Sequence, residues 1–191
     1  MTTPSTPSPS TQDTETAAPM PAADTETRSV FVIGLRNAHA MENQALAIMR
    51  PQLDRTDDYP EVAQRLQQHI AETENQIRRL EQILDWLGED RSALKDAAMS
   101  VIGSMAAMGH AAADDAILKD TFADYAFEHY EMAAYKSLIT IGRTVGANNA
   151  LPLLQENLDE ETAMADWLDQ HIEPVTLKYL SLRQVGEQAK H

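Results

Sequence analysis

Four glutamates of this sequence stand at mirrored distances from two turn-like segments: Glu42, Glu72, Glu131 and Glu161. The first pair is centred on Asp57 and the second pair on Gly146, so each pair is equidistant from a turn. When two helices fold back on each other around a turn, residues equidistant from that turn lie at the same height. Two such hairpins, packed together, would bring four carboxylates to one layer. That arrangement binds two metal ions in four-helix carboxylate proteins.

Each of these glutamates interrupts an apolar stripe with the three- and four-residue spacing of an amphipathic helix. The rows are Leu35, Ala38, His39, Glu42, Ala45, Leu46, Met49; His69, Glu72, Gln76, Leu80, Ile83, Leu87; Phe122, Tyr125, Glu128, Glu131, Met132, Tyr135, Leu138; and Leu151, Leu154, Leu158, Glu161, Ala165, Leu168, Ile172. For any single glutamate, the alternative is a solvated position at the rim of the stripe. Four carboxylates that converge in an interior need a cation to neutralise them.

Further candidate ligands lie one helical turn from the four glutamates. Glu128 precedes Glu131 on the same face and is the natural fifth carboxylate. The Glu-x-x-His pattern common in such sites is absent at these glutamates, so nitrogen ligands would come from His39, His69 or His129. For each histidine, the alternative is a hydrogen-bonding neighbour of the site or a surface residue.

Composition favours a small helical domain and excludes several classes of chemistry. The chain has 191 residues, seven glycines and many good helix formers. Its net charge of −15 argues against nucleic acid and anionic membranes as partners, because no basic stripe exists to neutralise phosphates. The absence of cysteine excludes disulfides, thiolate-bound metal and iron–sulfur clusters. Any redox chemistry therefore needs a bound metal or another cofactor.

The sequence predicts an all-α, ferritin-like four-helix bundle over residues 29–174, with a long crossover that contains an extra short helix. The predicted helices cover about 29–50, 60–87, 92–108, 114–146 and 149–172. Residues 1–28 are rich in Thr, Ser and Pro, and we expect a disordered arm there. Residues 175–191 are expected to form a tail or short helix after Pro174. Without a secretory signal or membrane span, the expected location is the cytoplasm.

Four segments of the chain resemble the YciF/YciE family of ferritin-like stress proteins. The segments are Gly34–Leu46, His69–Gln82, Glu128–Tyr135 and Leu154–Glu161. The resemblance spans about residues 30–172, and it implies a rubrerythrin-like four-helix core, usually dimeric, with a dinuclear metal centre. Two positions depart from the family pattern. Ala165 stands where relatives often have an acid, and Lys95-Asp96-Ala97 replaces a region where many relatives have a cysteine.

Two classes of function follow from these patterns. The first is a stress protein with two metal ions per chain, iron as the first candidate and manganese as the second, that reacts with oxygen or hydrogen peroxide. The second is a non-enzymatic dimeric bundle or scaffold with a structural metal or none, favoured by the Ala- and Met-rich stretch Ala97–Ala113. Storage in a ferritin-like shell is a third reading, for which the sequence has no specific feature.

Overall fold

The computed structural model describes residues 25–89 and 114–186, which form four long helices and, within these two ranges, no strand. The helices are α1 (Thr25–Leu53), α2 (Pro60–Trp86), α3 (Ala116–Thr144) and α4 (Leu151–Gln184). The all-α four-helix prediction is therefore confirmed. The short helix predicted for 92–108 and most of the predicted amino-terminal arm lie outside the described residues.

The four helices surround one interior, and each packs against two neighbours. α1 contacts α2 and α3, while α4 contacts α3 and α2. Neighbours run antiparallel: Phe31 near the start of α1 lies against Gly142 near the end of α3, and Tyr59 before α2 packs with Val175 late in α4. Since α2 and α3 are then diagonal and parallel, the connection from 90 to 113 links opposite ends of the bundle, as a crossover must.

Two glycines follow helix ends, Gly88 where the crossover begins and Gly146 in the turn between α3 and α4. Gly88 closes α2 with φ of 73°, and Gly146 follows α3 with φ of 72°, a left-handed conformation that glycine adopts without strain. At the second turn, the Ala147 amide donates to the Gly142 carbonyl at 2.8 Å, which satisfies a carbonyl that the helix end leaves open. The predicted end of the third long helix near Gly146 is confirmed.

Two helices extend beyond their predicted ends, because tertiary packing outweighs a proline. α1 begins at Thr25 and continues through Pro51 to Leu53, and the Gln52 side chain that follows the proline is buried. α4 continues through Pro174 to Gln184, since Val175 packs against Tyr59 and Ile117. A proline removes one hydrogen bond from a helix, but the buried side chains near it, Met49 and Gln52 at Pro51 and Val175 at Pro174, offset that loss. The segment after 174 is thus a continuation of α4.

The interior divides into two apolar regions with a polar layer between them. One contains Phe31, Leu35, Leu80, Ile83, Leu84, Leu138 and Leu154, and the other contains Ala45, Leu46, Met49, Leu66, Met164 and Leu168. Along α1, Glu42 falls between these two groups, and along α4, Glu161 does the same. None of the helices in the described ranges is long and apolar enough to cross a membrane.

Candidate metal centre

Five acidic or imidazole side chains from all four helices meet in the polar layer. They are Glu42 from α1, His69 from α2, Glu128 and Glu131 from α3, and Glu161 from α4, each between 0 and 3% exposed. We call this set the carboxylate cluster. His69 Nε2 lies 3.4 Å from Glu128 Oε2 and 3.5 Å from Glu161 Oε2. One ligand atom from each of these three residues lies within 4.8 Å of the other two, a spacing suited to one metal ion.

Sequence periodicity places two of these glutamates directly. Every residue of the predicted α1 stripe from Leu35 to Met49 is buried, so Glu42 points inward with its neighbours. On α4, the stripe through Leu154, Leu158 and Leu168 is buried and includes Glu161. Because these helices have long apolar faces, the surrounding side chains hold both carboxylates in the interior despite the cost of removing them from water.

On α2, the structure brings His69 to the cluster and places Glu72 behind it. The Glu72 side chain is 20% exposed, and its Oε2 lies 2.9 Å from His69 Nδ1. Arg65 Nη1 donates to the same oxygen at 2.9 Å, and Gln68 Nε2 donates to Oε1 at 2.7 Å. These contacts lower the pKa of Glu72 to about 2, although partial burial acts to raise it. An ionised Glu72 therefore fixes the His69 ring with Nε2 toward Glu128 and Glu161.

A hydrogen-bond chain reaches the cluster from the surface. Arg79 Nη1 donates to Asn157 Oδ1 at 3.0 Å, and Asn157 Nδ2 donates to the Tyr135 hydroxyl at 2.9 Å. The Tyr135 hydroxyl in turn donates to Glu42 Oε1 at 2.6 Å. Glu160 holds Arg79 at 2.8 Å. Tyr135 belongs to the stripe predicted on this helix, whereas Asn157 and Arg79 were not predicted, because their roles depend on contacts between helices that are far apart in sequence.

The other two predicted histidines lie away from the cluster. His39 is buried, but its Nε2 lies 3.4 Å from Glu81 Oε1 and its Nδ1 lies 3.4 Å from the Asn43 amide nitrogen. His129 is exposed on α3, and its Nδ1 lies 2.9 Å from the Tyr125 carbonyl oxygen. Neither ring faces the five residues that converge.

Close packing of like charges changes the protonation of the cluster. Burial, followed by the charge of Glu161, raises the pKa of Glu42 well above its usual value. Burial and the charge of Glu42 do the same to Glu131. Burial raises the pKa of Glu128 to about 8, even with His69 adjacent. Burial acts to lower the pKa of His69, but the neighbouring carboxylates outweigh it and raise the value. For Glu161 the nearby His69 ring outweighs burial and lowers the pKa.

Most ligand-type atoms of the cluster have no hydrogen-bond partner, although polar atoms in protein interiors are nearly always paired. The unpartnered atoms are Glu42 Oε2, His69 Nε2, Glu128 Oε2, and both carboxylate oxygens of Glu131 and of Glu161. An unsatisfied buried group costs about 1–3 kcal/mol, and more if it is charged. Lone pairs that converge without donors are what metal ions bind. The residues present therefore fit a metal centre.

The donor set also discriminates among metals. Four carboxylates and one imidazole are hard or intermediate ligands, which suit iron and manganese, and the thiolates preferred by soft metals are absent from the sequence. Glu72 behind His69 supplies the carboxylate–histidine pairing that orients metal-bound imidazoles. Two divalent ions would balance the four carboxylate charges of the cluster.

The chain matches several known proteins over most of its length. Residues 26–181 match the family described as Domain of unknown function (DUF892). Protein YciF of Escherichia coli strain K12 is 29% identical over 142 residues, which cover 70% of this chain and 82% of that protein. A solved structure from Xanthomonas campestris pv. campestris is 28% identical, with a TM-score of 0.68 over 83% of this chain and 99% of that chain.

The crystal structure of the E. coli stress protein YciF has the same fold. It aligns with a TM-score of 0.61 and 23% identity over 78% of this chain and 96% of that chain.

Proposed function

The chain belongs to the DUF892 family, which includes the stress protein YciF, and we propose that it holds a dinuclear iron or manganese centre that reacts with oxygen or peroxide. The observation that supports this proposal is the set of buried, unpartnered carboxylate oxygens in the carboxylate cluster. Ionised carboxylates are costly to bury unless a cation compensates their charge, and a metal ion would remove that cost.

The five residues of the cluster divide into roles. Glu128, Glu161 and His69 Nε2 would hold one ion, since their ligand atoms all lie within 4.8 Å of one another. Glu42 Oε2 and Glu131 are the remaining donors of the same layer and would hold the second ion. When bound there, a pair of iron or manganese ions supplies redox chemistry toward oxygen or peroxide.

The surrounding residues fix orientation and exclude water. Glu72 holds the tautomer of His69 that leaves Nε2 unprotonated for a metal ion. Tyr135 occupies Glu42 Oε1, so that Glu42 offers only Oε2. The apolar residues Leu80, Leu138 and Leu154, each at most 3% exposed, keep water from one side of the layer.

Metal analysis tests the proposal directly. We expect protein purified without chelator and reloaded anaerobically with ferrous ion to bind about two ions per chain. Glu161→Gln and Glu131→Gln each remove a buried charge with little change of volume and are expected to lower that content. Glu74→Gln is the matched control, because Glu74 is 43% exposed and pairs with Arg50 at the surface.

The reaction is tested by adding oxygen or hydrogen peroxide to the loaded protein and following ferrous oxidation by absorbance. Oxidation faster than that of the same amount of free ferrous ion, and lost in Glu161→Gln, supports the proposal. Absence of stoichiometric binding in the wild-type protein contradicts it.

A second candidate function is a non-enzymatic dimeric bundle, favoured by apolar side chains on the surface. Phe122 and Tyr130 lie two turns apart on α3 and are 50% and 62% exposed. Exposed aromatic residues that share a helix face are typical of contact surfaces. Tyr130→Asp is expected to convert a dimer to monomers in sedimentation equilibrium without loss of metal. Retention of metal without oxidation by oxygen or peroxide would favour this second function.

A further inference from the structure

A small cavity lies inside the bundle immediately beyond the carboxylate cluster. Its volume is about 20 Å³, enough for one water molecule or a cation of similar size. Three of the residues that line it, Leu66, Asp124 and Met164, each lie one helical turn from a residue of the cluster. Asp120 and Trp167 also line the cavity and are partly exposed, so its outer side faces solvent.

The cavity offers oxygen acceptors. Gln52 is only 5% exposed and its Oε1 has no hydrogen-bond partner, while its Nε2 donates to Asp124 Oδ1 at 2.9 Å. The hydroxyl groups of Thr56 and Thr121 donate to backbone carbonyls, which leaves their oxygen atoms as acceptors. A group of carboxylate, amide and hydroxyl oxygens is the donor set that hard cations prefer.

The two acids of the cavity have different partners. Arg55 Nη2 donates to Asp120 Oδ2 at 3.0 Å, which compensates the outer carboxylate. Among residues 25–89 and 114–186, Asp124 forms no ion pair and depends on the Gln52 amide. Burial and the charge of Asp120 raise the pKa of Asp124 to about 7, as expected for a carboxylate that lacks a compensating cation.

We propose that this cavity is a transit site, at which Asp124 and Gln52 bind a divalent cation on its way from solvent to the carboxylate cluster. The inference rests on the proposed function, because it requires a metal destination. The opposite side of the polar layer is closed by Leu80, Leu138 and Leu154. The cavity thus offers a polar approach to the cluster from the side of Leu66 and Met164.

Rapid mixing of the metal-free chain with Co²⁺ tests the transit site. The visible absorption of Co²⁺ reports its arrival at the cluster, and quenching of Trp167 fluorescence reports its arrival in the cavity that Trp167 lines. A Trp86→Phe background removes the other tryptophan, which lies at the end of α2. We expect quenching to precede the absorption change in the wild-type chain.

Asp124→Asn is expected to slow the absorption change about tenfold, at the low end of the effect of local charge on association rates. The final absorption and the equilibrium affinity should not change, because Asp124 is not among the residues of the cluster. Asp124→Glu, which keeps the charge, should retain most of the rate. Asp159→Asn is the matched control, since Asp159 is exposed on α4 and accepts from Gln155.

Three outcomes overturn the assignment. Equal rates in Asp124→Asn and wild type would mean that the cavity holds water only. An equal loss of rate and of affinity would place Asp124 within the centre itself. Absence of Co²⁺ binding in the wild-type chain contradicts the metal centre and the transit site together, whereas binding with unchanged rates contradicts the transit site alone.

Discussion

The direction of each hydrogen bond in the chain from Arg79 to Glu42 is fixed by chemistry. Arginine has donors and no acceptor, so Asn157 must accept through Oδ1 and donate through Nδ2. The Tyr135 oxygen accepts that bond, and its hydrogen is left for Glu42 Oε1. One oxygen of Glu42 is therefore committed to Tyr135, which leaves Oε2 for a metal ion.

Removal of the Tyr135 hydroxyl tests this arrangement. We expect Tyr135→Phe to weaken Mn²⁺ binding by about 10- to 100-fold, the usual effect of losing a hydrogen bond to a metal ligand. Isothermal titration calorimetry measures the change. Tyr59→Phe is the matched control, because Tyr59 is 2% exposed and lies in a separate apolar cluster. Equal affinities in both variants would contradict the role given to Tyr135.

Glu72 is expected to act through His69. The variant Glu72→Gln replaces the ionised acceptor at His69 Nδ1 with a neutral one. We predict roughly tenfold weaker Mn²⁺ binding with the number of ions unchanged, since His69 keeps its position but loses the partner that fixes its tautomer. The measurement is titration calorimetry beside Glu161→Gln. A lower number of bound ions in Glu72→Gln would make Glu72 itself a ligand.

At the scale of helices, the close approach of α1 and α3 depends on Gly34. A Cβ atom at this position would lie 2.7 Å from Leu138 Cδ2, closer than two carbon atoms can pack. We expect Gly34→Ala to destabilise the fold by about 1 kcal/mol, because overpacking costs about 1–3 kcal/mol and the gain in helix propensity is about 1 kcal/mol.

A double-mutant cycle with Leu138→Ala checks this prediction by urea unfolding. The penalty of Gly34→Ala should disappear in the Leu138→Ala background, where no Cδ2 atom remains. A Gly34→Ala variant that is more stable than the wild type with Leu138 intact would show that the helices separate at little cost.

Helix periodicity predicted most of the candidate site, and its errors have a physical cause. On α1 and α4 the stripes are continuous, so the inward positions of Glu42 and Glu161 could be read from sequence. On α2 a spacing of three or four from His69 leads to either Glu72 or Thr73. The structure buries Thr73 completely and leaves Glu72 beside it partly exposed.

Equal distance from a turn does not distinguish Glu72 from Thr73 either. The height that it predicts is accurate to about one helical turn, because the number of loop residues and the exact ends of the helices are not known beforehand. α1 continues past Pro51 and α4 past Pro174, and both extensions depend on contacts with other helices. The contacts of Asn157 and Arg79 depend equally on which helices become neighbours, which periodicity alone does not specify.

For the whole molecule, the cluster makes stability depend on pH in an unusual direction. Glu128 keeps its proton in the folded metal-free protein up to about pH 8, whereas its ordinary pKa is 4.5. The folded state then binds more protons than the unfolded state, so stability falls as the pH rises from about 4.5 to about 8. The slope is about 1.4 kcal/mol per pH unit for one such group. The raised pKa of His69 also makes the stability fall as the pH rises.

Urea unfolding between pH 5 and pH 8 tests this dependence. We expect metal-free protein to lose stability across that range, and Mn²⁺-loaded protein to gain it, because metal binding requires deprotonated ligands. Glu72 acts in the opposite sense, but its contribution is lost as the pH falls from about 4.5 to about 2, which is below the tested range. Metal-free stability that is constant from pH 5 to pH 8 would contradict the protonation described for the cluster.

Glu42 and His69 come from the α1–α2 hairpin, and Glu128, Glu131 and Glu161 come from the α3–α4 hairpin. An ion at their centre would hold together two hairpins that come from separate halves of the sequence. Removal of the metal by a chelator should then weaken the packing of one hairpin on the other before any single helix unfolds. The compactness of the protein would therefore depend on how much metal its surroundings contain.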